Sequence, residues 1–126
     1  MDPASERDIA ALQGIWEQTA LEADGVTDPT DSYGTDLLTT FAGHEFTVRA
    51  PDGTIVLAGT FTLDASTDPR SITWIDSMGA DRGKQLPAIY TLDGDRFTFI
   101  AGEEDAPRPQ VFETAPGQTM RTMRRR

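Results

Sequence analysis

The hydrophobic and polar positions of this chain follow two different periods. Over residues 5–12 the spacing is helical. Ile9, Ala10 and Leu12 form a short apolar face, Ser5 is placed to cap it with Asp8 three residues on, and Gly14 ends it. Beyond that point the period becomes 2. Phe46 and Val48 alternate with Glu45, Thr47 and Arg49. Ile55, Leu57, Gly59, Phe61 and Leu63 share one face, and Val56, Ala58, Thr60 and Thr62 the other. Ile72 and Trp74 alternate with Ser71 and Thr73, and Phe97 and Phe99 with Thr98. Apolar residues on one side and threonines on the other describe strands with one buried and one wet face.

Glycines punctuate these runs. Ala42-Gly43, Asp52-Gly53 and Asp93-Gly94 each separate two alternating segments, as tight hairpins require. The pattern predicts eight strands, at about 14–22, 36–42, 45–50, 54–63, 71–76, 86–92, 96–101 and 118–124. The segments 23–35 and 77–85, rich in Gly, Asp and Thr, read as mobile loops. Short links between successive strands indicate an antiparallel meander. Closing it into an eight-stranded up-and-down barrel removes the exposed edges; a two-sheet sandwich is the alternative.

The chain has 126 residues, enough for one domain, so 1–126 reads as a single unit. It has no cysteine, which excludes disulfides, thiolate catalysis and Cys-ligated metals. The first residues, MDPASERDIAALQG, contain no basic region followed by an apolar stretch. No apolar run approaches the length of a membrane span. A soluble, cytoplasmic protein is expected. The net charge is −10, and four arginines (Arg121, Arg124, Arg125, Arg126) stand in the last six positions, so the body before them carries about −14. Such a body repels phosphate backbones, and no nucleic-acid partner is expected.

Candidate chemistry is sparse. His44 is the only histidine and flanks a turn, so it is a weak candidate for a general base and cannot form a transition-metal site alone. Asp93-Gly94-Asp95 and Glu103-Glu104-Asp105 lack the spacing of a calcium loop. Ser77 has no nucleophile context, and Gly79 and Gly83 fit no phosphate loop. No metal or cofactor is expected.

Gly14-Ile15-Trp16, at the entry to the first strand, resembles the signature of the lipocalin and avidin barrels. There the Trp packs across the barrel floor and an Arg of the last strand lies over it. The resemblance implies structural roles for Gly14 and Trp16 and makes Arg121 or Arg124 the stacking cation. A wider resemblance is to a family of small bacterial lipocalin-like domains, abundant in planctomycetes. It rests on Leu12–Trp16, Gly59–Asp64, Pro69–Ile72, Ile89–Asp95, Arg108-Pro109 and Phe112. The family implies a calycin-like barrel and supplies no activity. Its members often carry export signals, and a Cys where this chain has Ile100 or Ala101.

With Trp16 pointing inward, Gln18 and Ala20 follow, joined by Phe46, Val48, Leu57, Phe61, Trp74, Tyr90, Phe97, Phe99 and Met120. The expected ligand-binding set is Trp16, Gln18, Phe46, Trp74, Tyr90 and Phe97. The first function expected is binding of a small apolar or aromatic molecule in the barrel. A cofactor-independent cyclase or isomerase, with Tyr90, Asp76, Gln18 or Arg49 polarising a carbonyl, and a filled interaction domain are the alternatives. A cavity above about 300 Å³ would favour the first two over the third, and a Tyr, Asp or Arg buried in it with a shifted pKa would favour the cyclase or isomerase over the binder. The exposed face of 54–63 leaves homodimerisation open.

Overall fold

The computed structural model describes residues 3–27, 36–79, 82–103 and 106–126. The helix α1 spans Pro3–Leu12. Among the described residues nine strands follow: β1 Gly14–Ala23, β2 Val26–Thr27, β3 Leu38–Ala42, β4 Glu45–Arg49, β5 Ile55–Asp64, β6 Arg70–Asp76, β7 Gln85–Asp93, β8 Arg96–Ala101 and β9 Thr119–Arg125. All pairings are antiparallel. β3 to β9 follow one another in order, and β1 pairs with β3 on one side and β9 on the other. The result is a closed eight-stranded barrel, with β2 as a two-residue spur on the end of β1. Closure through seven β1–β9 partner pairs overturns the sandwich alternative.

The strand boundaries fall close to those expected apart from the spur β2, and the helix begins two residues earlier than expected. The spur β2 lies in the segment expected to be a loop: Asp24, at φ 52°, and Gly25 turn the chain back onto β1. Residues 28–35 and 80–81 of the two expected loops lie outside the described residues. The helix starts at Pro3, which needs no amide partner in a first turn. Ser5 is therefore inside α1 and is not its cap. It is fully buried, and its Oγ accepts a 2.8 Å bond from the Ala65 amide. The hydroxyl docks the helix onto the β5–β6 turn. Asp8, the expected capping partner, accepts bonds from Tyr90 Oη at 2.6 Å and from Arg70 at 3.1 Å.

The inward faces form one core around Trp16, Phe41, Phe61, Trp74, Tyr90 and Phe97. Rings meet edge-to-face: Phe41 and Phe61 with centroids 5.4 Å apart, Phe46 and Trp74 at 5.1 Å. Gly59 belongs to this face for steric reasons. A Cβ there would stand 2.1 Å from the Ile75 carbonyl oxygen and 2.9 Å from the Phe46 ring.

Two inward assignments are corrected. A bulge at Thr19 shifts the β1–β9 register between Gln18 and Ala20, so Ala20 is exposed and Leu21 turns in. On β9 the inward residues are Arg121 and Met123, and Met120 takes the other parity.

Candidate functional site

The two ends of the barrel differ. One is closed by α1. Trp16 is fully buried, and its Nε1–H donates to the Leu12 carbonyl at 2.7 Å. Arg125 lies over the indole, its Cζ 4.3 Å from the ring centroid. The same guanidinium donates to the carbonyls of Ala11 and Gln13 and pairs with Asp95 at 3.1 Å. The stacking cation is therefore Arg125, not Arg121 or Arg124. Side chains two apart share a face, so Arg125, Met123 and Arg121 all point inward, and only Arg125 stands level with Trp16 on β1. Gly14 enters β1 at φ 115°, which a side chain disfavours, beside the Arg125 head group.

Strand alternation puts the β1–β3, β4–β5, β6–β7 and β8–β9 connections at the opposite end. Toward that end the core is not filled. A cavity of about 140 Å³ is lined mainly by apolar groups, Phe46, Val48, Leu57, Trp74, Phe99 and Met123 among them. Its polar side chains are Gln18, Thr39, Asp76 and Arg121. Arg121 donates to Gln18 Oε1 at 2.8 Å. Asp76 and Thr39 are 5% and 3% exposed. Trp74 is 6% exposed, and its buried Nε1–H has no hydrogen-bond partner among the described residues. Trp16 and Trp74 thus differ: one indole N–H is bonded, the other has no partner among the described residues.

The six expected ligand-binding residues divide between the two regions. Gln18, Phe46 and Trp74 line the cavity. Trp16, Tyr90 and Phe97 lie in the packed core and not on its wall. Tyr90 has a physical reason to be elsewhere: its hydroxyl is bonded to Asp8 of α1. Of the four carbonyl-polarising candidates, Asp76 and Gln18 reach the cavity, Tyr90 is held by the helix, and Arg49 is exposed. His44 is exposed at the β3–β4 turn, with Nδ1 3.4 Å from the Phe61 carbonyl oxygen. No group of three acidic or histidine side chains suited to a metal occurs among the described residues.

Leu37, Thr39, Met123 and Arg121 were not anticipated on the cavity wall. For Arg121 and Met123 a signal existed in the alternation of TMRTMRR, once Arg125 is placed on Trp16. Leu37 precedes β3 and carries no such signal.

Arg108 secures the β8–β9 connection. It donates to the carbonyls of Ile72 at 3.0 Å and Ala88 at 2.7 Å, and to Thr73 Oγ1 at 2.8 Å. One planar fork ties the connection to both β6 and β7. Pro109 beside it is buried.

The closed antiparallel barrel is compatible with a calycin-like fold. No protein-family model matches the chain, and no curated protein matches it. Among the described residues no helix is long and apolar enough to cross a membrane.

Proposed function

We propose that this chain is a lipocalin-like binding protein for a small apolar or aromatic molecule, held in the cavity between Trp74, Phe99 and Arg121. The observation that carries this reading is an apolar cavity of about 140 Å³ in a barrel whose other half is packed with aromatic rings. The volume falls short of the 300 Å³ or so that would by itself favour a binder over a filled interaction domain, so the reading is confined to a ligand near the roughly 150 Å³ that accommodates one benzene ring. The occupant is therefore a single-ring molecule or one of similar bulk. The Leu12–Trp16 opening and the Ile89–Asp95 strand end support placing the chain among the small bacterial lipocalin-like domains, with 1–126 as one such unit.

Native mass spectrometry of protein purified from its own host tests this. A discrete mass excess that disappears on denaturation is the expected result. A bare mass, together with no chemical-shift change at Trp74, Phe99 or Met123 on adding millimolar single-ring compounds, would overturn it.

A further inference from the structure

The outside of the barrel is uneven in charge. Charged residues make up 25% of the chain, yet they are scarce on the outward face of β3 to β6. The outward residues in the middle of that face are Thr40, Thr47, Val56, Ala58, Thr60 and Ile75, each half-buried or exposed. The adjoining outward face is already covered. Ile89 and Ile100 point outward by parity, yet they are 1% and 0% exposed. Beside Ile89, Arg108 ties the β8–β9 connection across β6 and β7. On β9 and β1 the outward positions include Arg124, Glu17 and Glu22. The face of β3 to β6 is thus both uncovered and poor in charge, as the centre of a protein interface is. Its Thr, Val, Ile and Ala side chains also lose little rotamer freedom when covered.

Two opposite charges mark this face. Glu45 and Arg49 each stand two residues from Thr47 and on its side of β4, so they lie about 7 Å from it in opposite directions. Both are exposed, and neither has an ion-pair partner among the described residues. A third outward charge, Asp64 at the end of β5, accepts bonds from Ser66 in the β5–β6 turn.

This arrangement is self-complementary. A two-fold axis in the plane of contact, crossing β4 at Thr47, lays β4 antiparallel over the same strand of a second copy. Glu45 then faces the partner's Arg49, and Arg49 faces the partner's Glu45. Packed sheets stand about 10 Å apart, a gap that a glutamate and an arginine span between them. Each copy carries a net charge of −10, so two copies meet most readily where like charges do not oppose each other.

We infer that the outward face of β3 to β6 docks a second copy of this chain, with a two-fold axis at Thr47 and two reciprocal Glu45–Arg49 ion pairs setting the register. The inference is independent of what the cavity holds.

Sedimentation equilibrium over a range of protein concentrations tests it, with the native chain, Glu45→Arg and Arg49→Glu. The native chain is expected to reach the mass of a dimer. Each variant places like charges opposite one another at two points, and its dimerisation is expected to weaken roughly tenfold to a hundredfold. An equimolar mixture of the two variants is expected to recover the dimer, because every Arg then faces a Glu. A native chain that stays monomeric up to millimolar concentration, including one that instead captures a different protein through this face, would overturn the inference. So would variants that associate as the native chain does, or a mixture that fails to recover. Should one variant not fold, the swapped double variant Glu45→Arg with Arg49→Glu decides: it is expected to dimerise like the native chain, and a monomer would refute the pairing.

Discussion

Arg125, from the last strand, lies 4.3 Å over the ring of Trp16, from the first. The two are also register partners across the β1–β9 seam that closes the barrel. The guanidinium holds three elements at once: the indole by cation–π attraction, the end of α1 through the carbonyls of Ala11 and of Gln13 just beyond it, and the β7–β8 turn through Asp95. The seam, the plugged end and the helix thus share one side chain.

Arg125→Ala is expected to lower stability by about 2–3 kcal/mol, since the stack and the carbonyl bonds are lost together. The Asp95 pair adds little, because that carboxylate is 73% exposed. Arg125→Lys recovers the charge without the planar fork and falls between the two. Urea unfolding of the three proteins measures this; equal midpoints for Arg125→Ala and the native chain would refute it.

Gly59→Ala tests the close approach of β5 to β6. Its Cβ would stand 2.1 Å from the Ile75 carbonyl oxygen, a backbone atom that cannot move without shifting the strand. A loss of about 3 kcal/mol is expected, at the upper end for overpacking. Gly43→Ala, where nothing lies within 4 Å but φ is 62°, provides a control for conformational strain alone and is expected to cost about 1 kcal/mol. Thermal denaturation ranks them.

Tyr90→Phe removes the hydroxyl that bonds Asp8 and leaves the ring in the core. About 1 kcal/mol of destabilisation is expected, with faster amide exchange in α1. Single-ring compounds are expected to bind the variant as they bind the native chain, because Tyr90 is not on the cavity wall. A large fall in their affinity would return Tyr90 to the site.

The β4–β5 turn is expected to respond to acid. Asp52 Oδ1 accepts from the Thr54 amide at 2.9 Å, and this bond holds the carboxyl below the usual aspartate range. A pKa depressed in the folded state means that the ionised group favours folding above the unfolded pKa. That contribution is lost as pH falls through the lower, folded value. The Thr54 amide shift should titrate with a midpoint below that of a free aspartate, and Asp52→Asn should abolish the titration. A midpoint at or above the free value would contradict the assignment.

Much of this architecture is legible along the chain because it depends on local regularities. Alternation of Phe, Val and Ile with Thr sets which face of each strand is buried. Asp-Gly and Ala-Gly pairs mark where strands reverse, since only glycine adopts the φ of 62°, 89° and 57° found at Gly43, Gly53 and Gly94 without strain. Gly14 and Trp16 mark the entry to the barrel for the same kind of reason.

What only the tertiary structure decided is where a period of two is broken and which distant side chains meet. A single bulge at Thr19 exchanged Ala20 for Leu21, because one added residue inverts every face beyond it. The choice among Arg121, Arg124 and Arg125 depended on the β1–β9 register, set by strands about a hundred positions apart. Ser5 and Asp8 suit a helix cap by spacing, yet they bond Ala65 and Tyr90, which become neighbours only after the barrel closes. The cavity is of the same kind. Inward parity shows which residues face the axis; whether their rings meet or leave room depends on volumes summed over eight strands, and that sum is written at no single position.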